Sequence, residues 1–562
     1  MNHAREIRAI REVIAFLFCS FSISSRSGAI GSSLLMFSRK VQWISSRGRV
    51  GRAMSEIPDG FVPPAKEAAN IRPSASLVAT RDGPNGIEIL FCHRVPQMPS
   101  FPDFWAFPGG GVTRFDHAAA EALIGFSSDD RGAGLACLMR EMVEEVGWAP
   151  ASDGIIEVGS EIRAKVVNDG KKWHPLAEVG SLPADTSRFS LITTRTTPPL
   201  SPMRFANQFF HLHDPSPPEP TLPDGRSEFD DMRWLTPDAA LAAWEKSEMR
   251  IPPPLITLLR DLISALKEAK NGSIDEAVSI LATNPPKGSH RIEFAPGVEC
   301  IPVPTNTLPP ATHTNCYILG NPGGEHVVVD PAPHTNDGLE FLKQKIRVVE
   351  NAGGHIIATI FTHRHLDHIG NLEEISKIYQ APIWASAETL EAIPYSDENR
   401  ALVDGDEFTL SGDNWYVLDT PGHCPGHICL SGEVGIISGD MAVMIGTILV
   451  PPNDGDMALY IASLEKIRDL KPPMLFPSHG PLSPVPERLL NHYITHRKSR
   501  HARVLDAINN GINEISTIAD YAYEDTPNAH PILKVDQTLS HLHTHERDGN
   551  VKQIQGNWHL AD

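Results

Sequence analysis

The stretch Thr362-His363-Arg364-His365-Leu366-Asp367-His368 places three histidines and one aspartate in six consecutive positions. It follows an apolar run, Ile356-Ile357-Ala358-Thr359-Ile360-Phe361, that reads as a buried strand. A polar cluster at a strand exit can be aimed by a rigid sheet into a shared cavity. Imidazole and carboxylate suit zinc and its first-row neighbours. Four such groups this close, with further ligands elsewhere, suggest two metal ions rather than one.

Three later stretches repeat the pattern. Pro421-Gly422-His423-Cys424-Pro425-Gly426-His427 follows the strand-like Trp415-Tyr416-Val417-Leu418. Gly435-Ile436-Ile437-Ser438-Gly439-Asp440 ends a short apolar run on an aspartate, and Leu475-Phe476-Pro477-Ser478-His479-Gly480 ends one on a histidine. Each polar group comes at a strand exit beside Gly or Pro.

This series, HxHxDH then PGH, SGD and SHG, resembles the metallo-β-lactamase-fold hydrolases over roughly 292–490. The resemblance implies an αββα sandwich of two mixed sheets. It implies that His363, His365 and His423 hold one zinc and that Asp367, His368 and His479 hold a second, with Asp440 bridging both. Thr314-Asn315-Cys316-Tyr317-Ile318-Leu319 and His326-Val327-Val328-Val329-Asp330 look like the early strands of that fold. Zinc lowers the pKa of bound water from about 16 to about 7, which makes hydroxide available at neutral pH. Asp367 would orient the nucleophile or carry its proton. His427 reads as a residue that supports the ligands or packs beside them, and Cys424 as filler.

The rest of the chain sets limits. At 562 residues, with 41% hydrophobic and 21% charged content, it has material for three or four soluble domains. A net charge of −20 disfavours coating nucleic acid or an anionic membrane through the overall field. Seven cysteines occur singly, without a CxxC pair, which fits a reducing compartment. Residues 1–53 hold nine basic residues against Glu6 and Glu12, many serines and the apolar patch Val13–Phe18. The patch is too short to span a bilayer. The segment reads as a leader, a targeting segment or sequence upstream of a misassigned start. The expected location is cytoplasmic, or mitochondrial if 1–53 is a transit peptide.

A second signature lies upstream. Residues 132–148 read as a helix with Leu135, Leu138, Met139, Met142 and Val146 on one face. Glu141, Glu144 and Glu145 share the other, and Gly147 ends it. Three carboxylates so placed repel one another without a cation, although a solvated acidic face has the same pattern. The run Arg140-Glu141-Met142-Val143-Glu144-Glu145-Val146-Gly147-Trp148 resembles the core of the Nudix box. Trp105-Ala106-Phe107-Pro108-Gly109-Gly110-Gly111-Val112 resembles its glycine-rich entry. The resemblance implies a Nudix α/β/α sandwich over 70–265. It implies Glu144 and Glu145 as ligands of Mg²⁺ or Mn²⁺, Glu141 as ligand or base, and Arg140 as the residue that orients the carboxylates. Two features depart from the usual box. Its first acid is Asp116, after Gly110 and five intervening residues, and 117–139 replace the usual seven. Long insertions there occur in a subgroup associated with coenzyme A diphosphates. Met203–Phe210, Arg233–Leu241 and Pro252-Pro253-Pro254 look like that subgroup's later elements.

Residues 266–291, bounded by turn-formers, read as a linker. From 491 to 562, helical stretches at Val504–Ile508, Ile515–Tyr521 and Val535–His545 precede a hairpin around Asp548-Gly549-Asn550. Three helices and a β wing read as a winged helix. The combination resembles the β-lactamase-like group that includes an organellar single-strand endoribonuclease, which brings in RNA as a partner. Yet 494–562 hold seven Lys/Arg against nine Asp/Glu, and only Arg497, Lys498, Arg500 and Arg503 cluster. A nucleic-acid module should be basic. A packing or dimerisation module is the plainer reading, and His541, His543 and His545 read as surface or packing residues.

The expectation is an α/β and α+β multidomain hydrolase with two Zn²⁺ in one domain and Mg²⁺ or Mn²⁺ in the other. Its substrates would be small acyl or nucleotide conjugates. The zinc site would cleave an ester or thioester, and the Nudix half a nucleoside-diphosphate derivative such as one of coenzyme A. The alternatives are a single-stranded RNA endonuclease, and a Nudix half that only senses a nucleotide and regulates the zinc domain.

Overall fold

The computed structural model describes residues 42–44, 50–52, 57, 58, 61 and 70–561, apart from 99, 202, 226, 286–289 and 395. The leader or targeting segment proposed for 1–53 lies outside the described residues, save for the paired strands Gln42–Ile44 and Val50–Arg52. Among the described residues, no helix is long and apolar enough to cross a membrane.

Strand Ile71–Gly83 is the spine of the first sheet. Gly86–Arg94 returns antiparallel on one side of it, and Arg204–His213 lies parallel on the other. Phe229–Leu235 and Ser190–Thr196 close the two edges, and the short strands Trp105–Ala106 and Gly109–Gly111 pair with the inner strands. Alternation along each strand sends side chains to opposite faces. Leu77, Ala79, Leu90 and Cys92 meet helix Asp130–Glu141 on one face. Val78, Ile89 and Phe91 meet helices Pro237–Glu245, Pro253–Glu268 and Ile274–Thr283 on the other. The result is a sheet between two helical layers. The stretch 266–291, expected to be a linker, contains Ile274–Thr283, whose Ile274, Ala277, Val278 and Leu281 join this first core.

The second domain stacks two sheets. A seven-stranded sheet runs from Glu293–Ala295 to Arg400–Ala401, and a five-stranded one from Glu407–Leu410 to Leu475–Pro477. Their inner faces share one apolar core, in which Tyr317, Val327 and Ala358 meet Trp415, Val417 and Leu430. Helix Asn336–Asn351 covers one outer face, and helices Met457–Asp469 and Pro486–Asn509 cover the other. Layer by layer this is helix, sheet, sheet, helix.

The tail departs from a string of short helices. Pro486–Asn509 is one continuous helix across the expected boundary at 491. Its Leu490, Tyr493 and Ile494 pack into the second domain, while Val504, Ala507 and Ile508 start the last core. Ile515–Ala522, Pro531–Arg547 and the hairpin Val551–Ile554/Asn557–Leu560 complete it.

The first two domains are locked together. Phe104 and Leu200 of the first lie in the inter-sheet core of the second, and Phe104 is fully buried. Arg250 binds Asp103 at 2.9 Å and donates to the carbonyls of Pro473 and Pro484 at 3.0 and 3.1 Å. Truncating a buried phenylalanine costs about 3–5 kcal/mol. Phe104→Ala should therefore lower the thermal midpoint of the whole chain and speed proteolysis between the domains. An unchanged midpoint would show that the two cores are independent.

Candidate functional site

The seven residues singled out in the second domain converge. His363, His365, Asp367 and His368 leave the end of strand His355–Ile360, and His423 follows Asp413–Asp419. Asp440 follows Gly435–Gly439, and His479 follows Leu475–Pro477. All seven are buried. His365 Nδ1 lies 3.1 Å from His363 Nε2 and 2.9 Å from His423 Nε2. His479 Nε2 lies 3.5 Å from both Asp367 Oδ2 and Asp440 Oδ1, and His368 Nε2 lies 3.6 Å from Asp440 Oδ2. The groups His363–His365–His423, His363–His368–Asp440 and Asp367–His368–His479 each bring three ligand atoms close enough to share an ion.

Each imidazole has its outer nitrogen engaged, which turns the inner one toward the cluster. His363 Nδ1 meets Thr362 Oγ1 at 3.0 Å, and His365 Nε2 meets Asp454 at 3.3 Å. His368 Nδ1 meets Asp330 at 2.9 Å. His423 Nδ1 meets the Leu449 carbonyl at 2.7 Å, and His479 Nδ1 meets that of His313 at 3.0 Å.

The inner atoms want a cation. Asp367 Oδ2, His368 Nε2 and Asp440 Oδ1 are buried without a hydrogen-bond partner among the described residues. Burial, with His368 close by, pushes the His363 imidazole well below its usual range, and burial with His365 nearby takes His423 down to about 4. The other half behaves oppositely. Burial disfavours protonating His368, but Asp440, Asp367 and Asp330 outweigh it and raise its pKa. His479 is raised to about 9 by Asp440 against the same burial penalty. Without an ion, protons on His368 and His479 supply the positive charge that the carboxylates demand. The donor set therefore fits divalent metal.

Sequence reasoning missed Asp330 and Asp454. Asp330 accepts from the Thr362 amide at 2.8 Å and the Thr362 hydroxyl at 2.7 Å as well as from His368. It ends an apolar strand as the ligands do, and that was its available signal. Asp454 pairs with Arg364 and lies in an irregular segment with no such mark. His427 is buried; its Nδ1 meets Thr420 at 2.8 Å and its Nε2 accepts the Asp440 amide at 3.1 Å. Gly439, at φ +51°, lets this turn form, because a Cβ there would lie 2.4 Å from His427 Nε2.

The cleft above the cluster is lined by Leu308, Pro309, Pro310, Val443, Ile445 and Ile448, and it opens on Asp440 and His479.

The first domain's acidic residues also converge, with a correction to their helix. It runs from Asp130 to Glu141, and its last turn, Met142–Val146, is widened to a π turn before Gly147 at φ +75°. The carboxylates are not a solvated face. Glu145 is buried and accepts the Gly109 amide at 2.8 Å. Arg140 reaches Glu141 at 2.8 Å, Glu144 at 3.1 Å and buried Asp116 at 3.0 Å. A Cβ on Gly110 would lie 2.2 Å from Glu141 Oε1, so a side chain there would displace the Glu141 carboxylate. Burial, then the neighbouring Glu141 charge, raises Glu145 well above the carboxylate range and takes Glu144 up to about 8. Burial alone would favour a neutral Arg140, but Glu141 and Asp116 more than offset it. One arginine cannot neutralise four acids, and a divalent ion fits the remainder.

Residues 309–479 match the family described as the metallo-beta-lactamase superfamily. With this match and with the arrangement above, the chain is a multidomain hydrolase whose second domain has the metallo-β-lactamase fold, a fold that binds divalent metal. Among its relatives, a beta-lactamase-like protein 2 homolog from Drosophila melanogaster is 28% identical over 42% of this chain and 84% of its own length. An atrochrysone carboxyl ACP thioesterase from Aspergillus fumigatus is 30% identical over 37% of this chain and 63% of its own. A NUDIX hydrolase structure from Alicyclobacillus acidocaldarius is similar over 39% of this chain and 100% of its own, at 27% identity and a TM-score of 0.34.

Replacing Asp330 leaves the Thr362 amide and hydroxyl and His368 Nδ1 without their buried partner. Each loss costs about 1–3 kcal/mol. Asp330→Ala should lower the thermal midpoint and weaken metal retention by about 10–100-fold. Metal titration at wild-type affinity would reject a supporting role.

Proposed function

We propose that the second domain is a dinuclear zinc hydrolase of esters or thioesters with an apolar acyl group. His363, His365 and His423 would hold one zinc and Asp367, His368 and His479 the other, with Asp440 between them. Bound there, zinc supplies Lewis acidity and acidifies water. Asp367, whose Oδ2 accepts no hydrogen bond among the described residues and lies 3.5 Å from His479 Nε2, takes the proton of the attacking water. Water oxygen bonds to the acyl carbon, the carbon–sulfur or carbon–oxygen bond breaks, and the proton passes to the leaving thiolate or alkoxide. The observation that carries this reading is the apolar cleft above Asp440 and His479. Among the described residues, no lysine or arginine lines it, whereas RNA phosphates call for cations. The tail's basic cluster offers little more: Arg497 and Arg500 are buried, and Lys498 and Arg503 are paired with Glu465 and with Glu524 and Asp525. The thioesterase relative supports the same substrate class.

The first domain is, in this reading, a Nudix-type hydrolase that holds Mg²⁺ or Mn²⁺ on Glu144 and Glu145, with Glu141 as ligand or base. Its substrate would be a nucleoside-diphosphate derivative of the coenzyme A kind. The sheltered, charge-crowded carboxylates on a π turn favour this over a purely sensing domain.

Zinc-loaded protein should cleave acyl thioesters and leave labelled single-stranded RNA intact. Asp367→Ala should reduce thioester turnover by about 10²–10⁴-fold. RNA cutting that vanishes in Asp367→Ala would replace this reading with a nuclease. Separately, diphosphate hydrolysis with Mg²⁺ should disappear in Glu144→Gln/Glu145→Gln. Absence of turnover in the unmutated chain would favour the sensor.

A further inference from the structure

The segment between Asp440 and helix Met457–Asp469 has no regular structure, yet it forms a wall of the cleft and supplies the Leu449 carbonyl to His423. Its backbone at Ile448 and Val450 is taken up by the tail. Gln537, on helix Pro531–Arg547, accepts the Val450 amide at 3.1 Å and donates to the Val450 carbonyl at 3.2 Å. Ser540 also donates to that carbonyl. Arg497 donates to Gln537 Oε1 at 3.3 Å, to Thr447 Oγ1 at 3.2 Å and to the Ile448 carbonyl. Arg497, Gln537 and Ser540 are all buried.

The Leu449 carbonyl and the Val450 amide belong to one peptide unit, which is planar and stiff. His423 Nδ1 grips one edge of that plane and Gln537 Oε1 the other. We infer that Gln537, held by Arg497, is a positioning residue that sets the orientation of His423 through the Leu449–Val450 peptide, so that the last domain is part of the metal site. This rests on His423 holding metal as proposed above. The same contacts set the cleft wall at Thr447 and Ile448, so acyl-group binding should respond as well.

The test uses the full chain loaded with zinc. Zinc retention is followed against a competing chelator, and kcat and KM are measured with an acyl thioester. Gln537→Ala should weaken retention of one zinc equivalent by about 10-fold, leave the other in place, and raise KM. Gln537→Glu keeps an acceptor for the Val450 amide and a partner for Arg497, and should restore part of the loss. Val551→Ala thins the core of the same domain without touching the segment, and should lower the thermal midpoint while leaving zinc retention unchanged. Wild-type zinc retention in Gln537→Ala overturns the inference alone. So does equal zinc loss in Val551→Ala at the same loss of stability. An unmutated chain that retains no zinc overturns the metal reading and this inference with it.

Discussion

Concentrating six buried imidazole and carboxylate side chains around Asp440, away from water, is the constraint on which the second domain is organised. Burying such groups without partners is costly, and like charges crowded together add to the cost. The fold meets this in two ways. Every imidazole has its outer nitrogen tied to a carboxylate, hydroxyl or carbonyl. The inner atoms face one another across a space that suits a divalent cation. The two halves of the cluster titrate in opposite directions for that reason: His363 and His423 stay neutral, and His368 and His479 are drawn toward protonation by Asp440.

The first domain solves the same problem with different chemistry. Its acids crowd around one arginine rather than a set of imidazoles, and a bare glycine strand lets Glu141 and Glu145 close over it. Hard carboxylate oxygens favour magnesium or manganese, as imidazole favours zinc. The two centres thus differ in the ion they suit, although both rest on carboxylates lifted from water.

The domains do not behave as beads on a string. Phe104 is buried in its neighbour's core, and Arg250 ties the first domain to carbonyls on both sides of the strand that carries His479. Helix Pro486–Asn509 serves two cores at once. The tail then reaches back to the irregular wall of the cleft beside Asp440. Surface-like basic residues become internal struts in the process, which is why a charge count over 494–562 could not say what Arg497 and Arg500 do.

Much of the architecture was legible in local pattern. Strand exits marked by Gly, Pro and a lone His or Asp pointed to His363, His365, Asp367, His368, His423, Asp440 and His479, because such turns aim side chains away from a rigid sheet. The spacing of Glu141, Glu144 and Glu145 with Arg140 was equally local. Asp454, Gln537 and the Leu449–Val450 peptide carry no periodicity or turn signal, and they gain meaning only when distant segments meet. The π turn, the course of the long helix and the burial of Arg497 likewise depend on what packs against them. What the sequence by itself determined was which donor atoms are available and at which strand ends. Tertiary structure alone decided which nitrogen of each imidazole faces inward, because that choice belongs to hydrogen-bond partners remote along the chain.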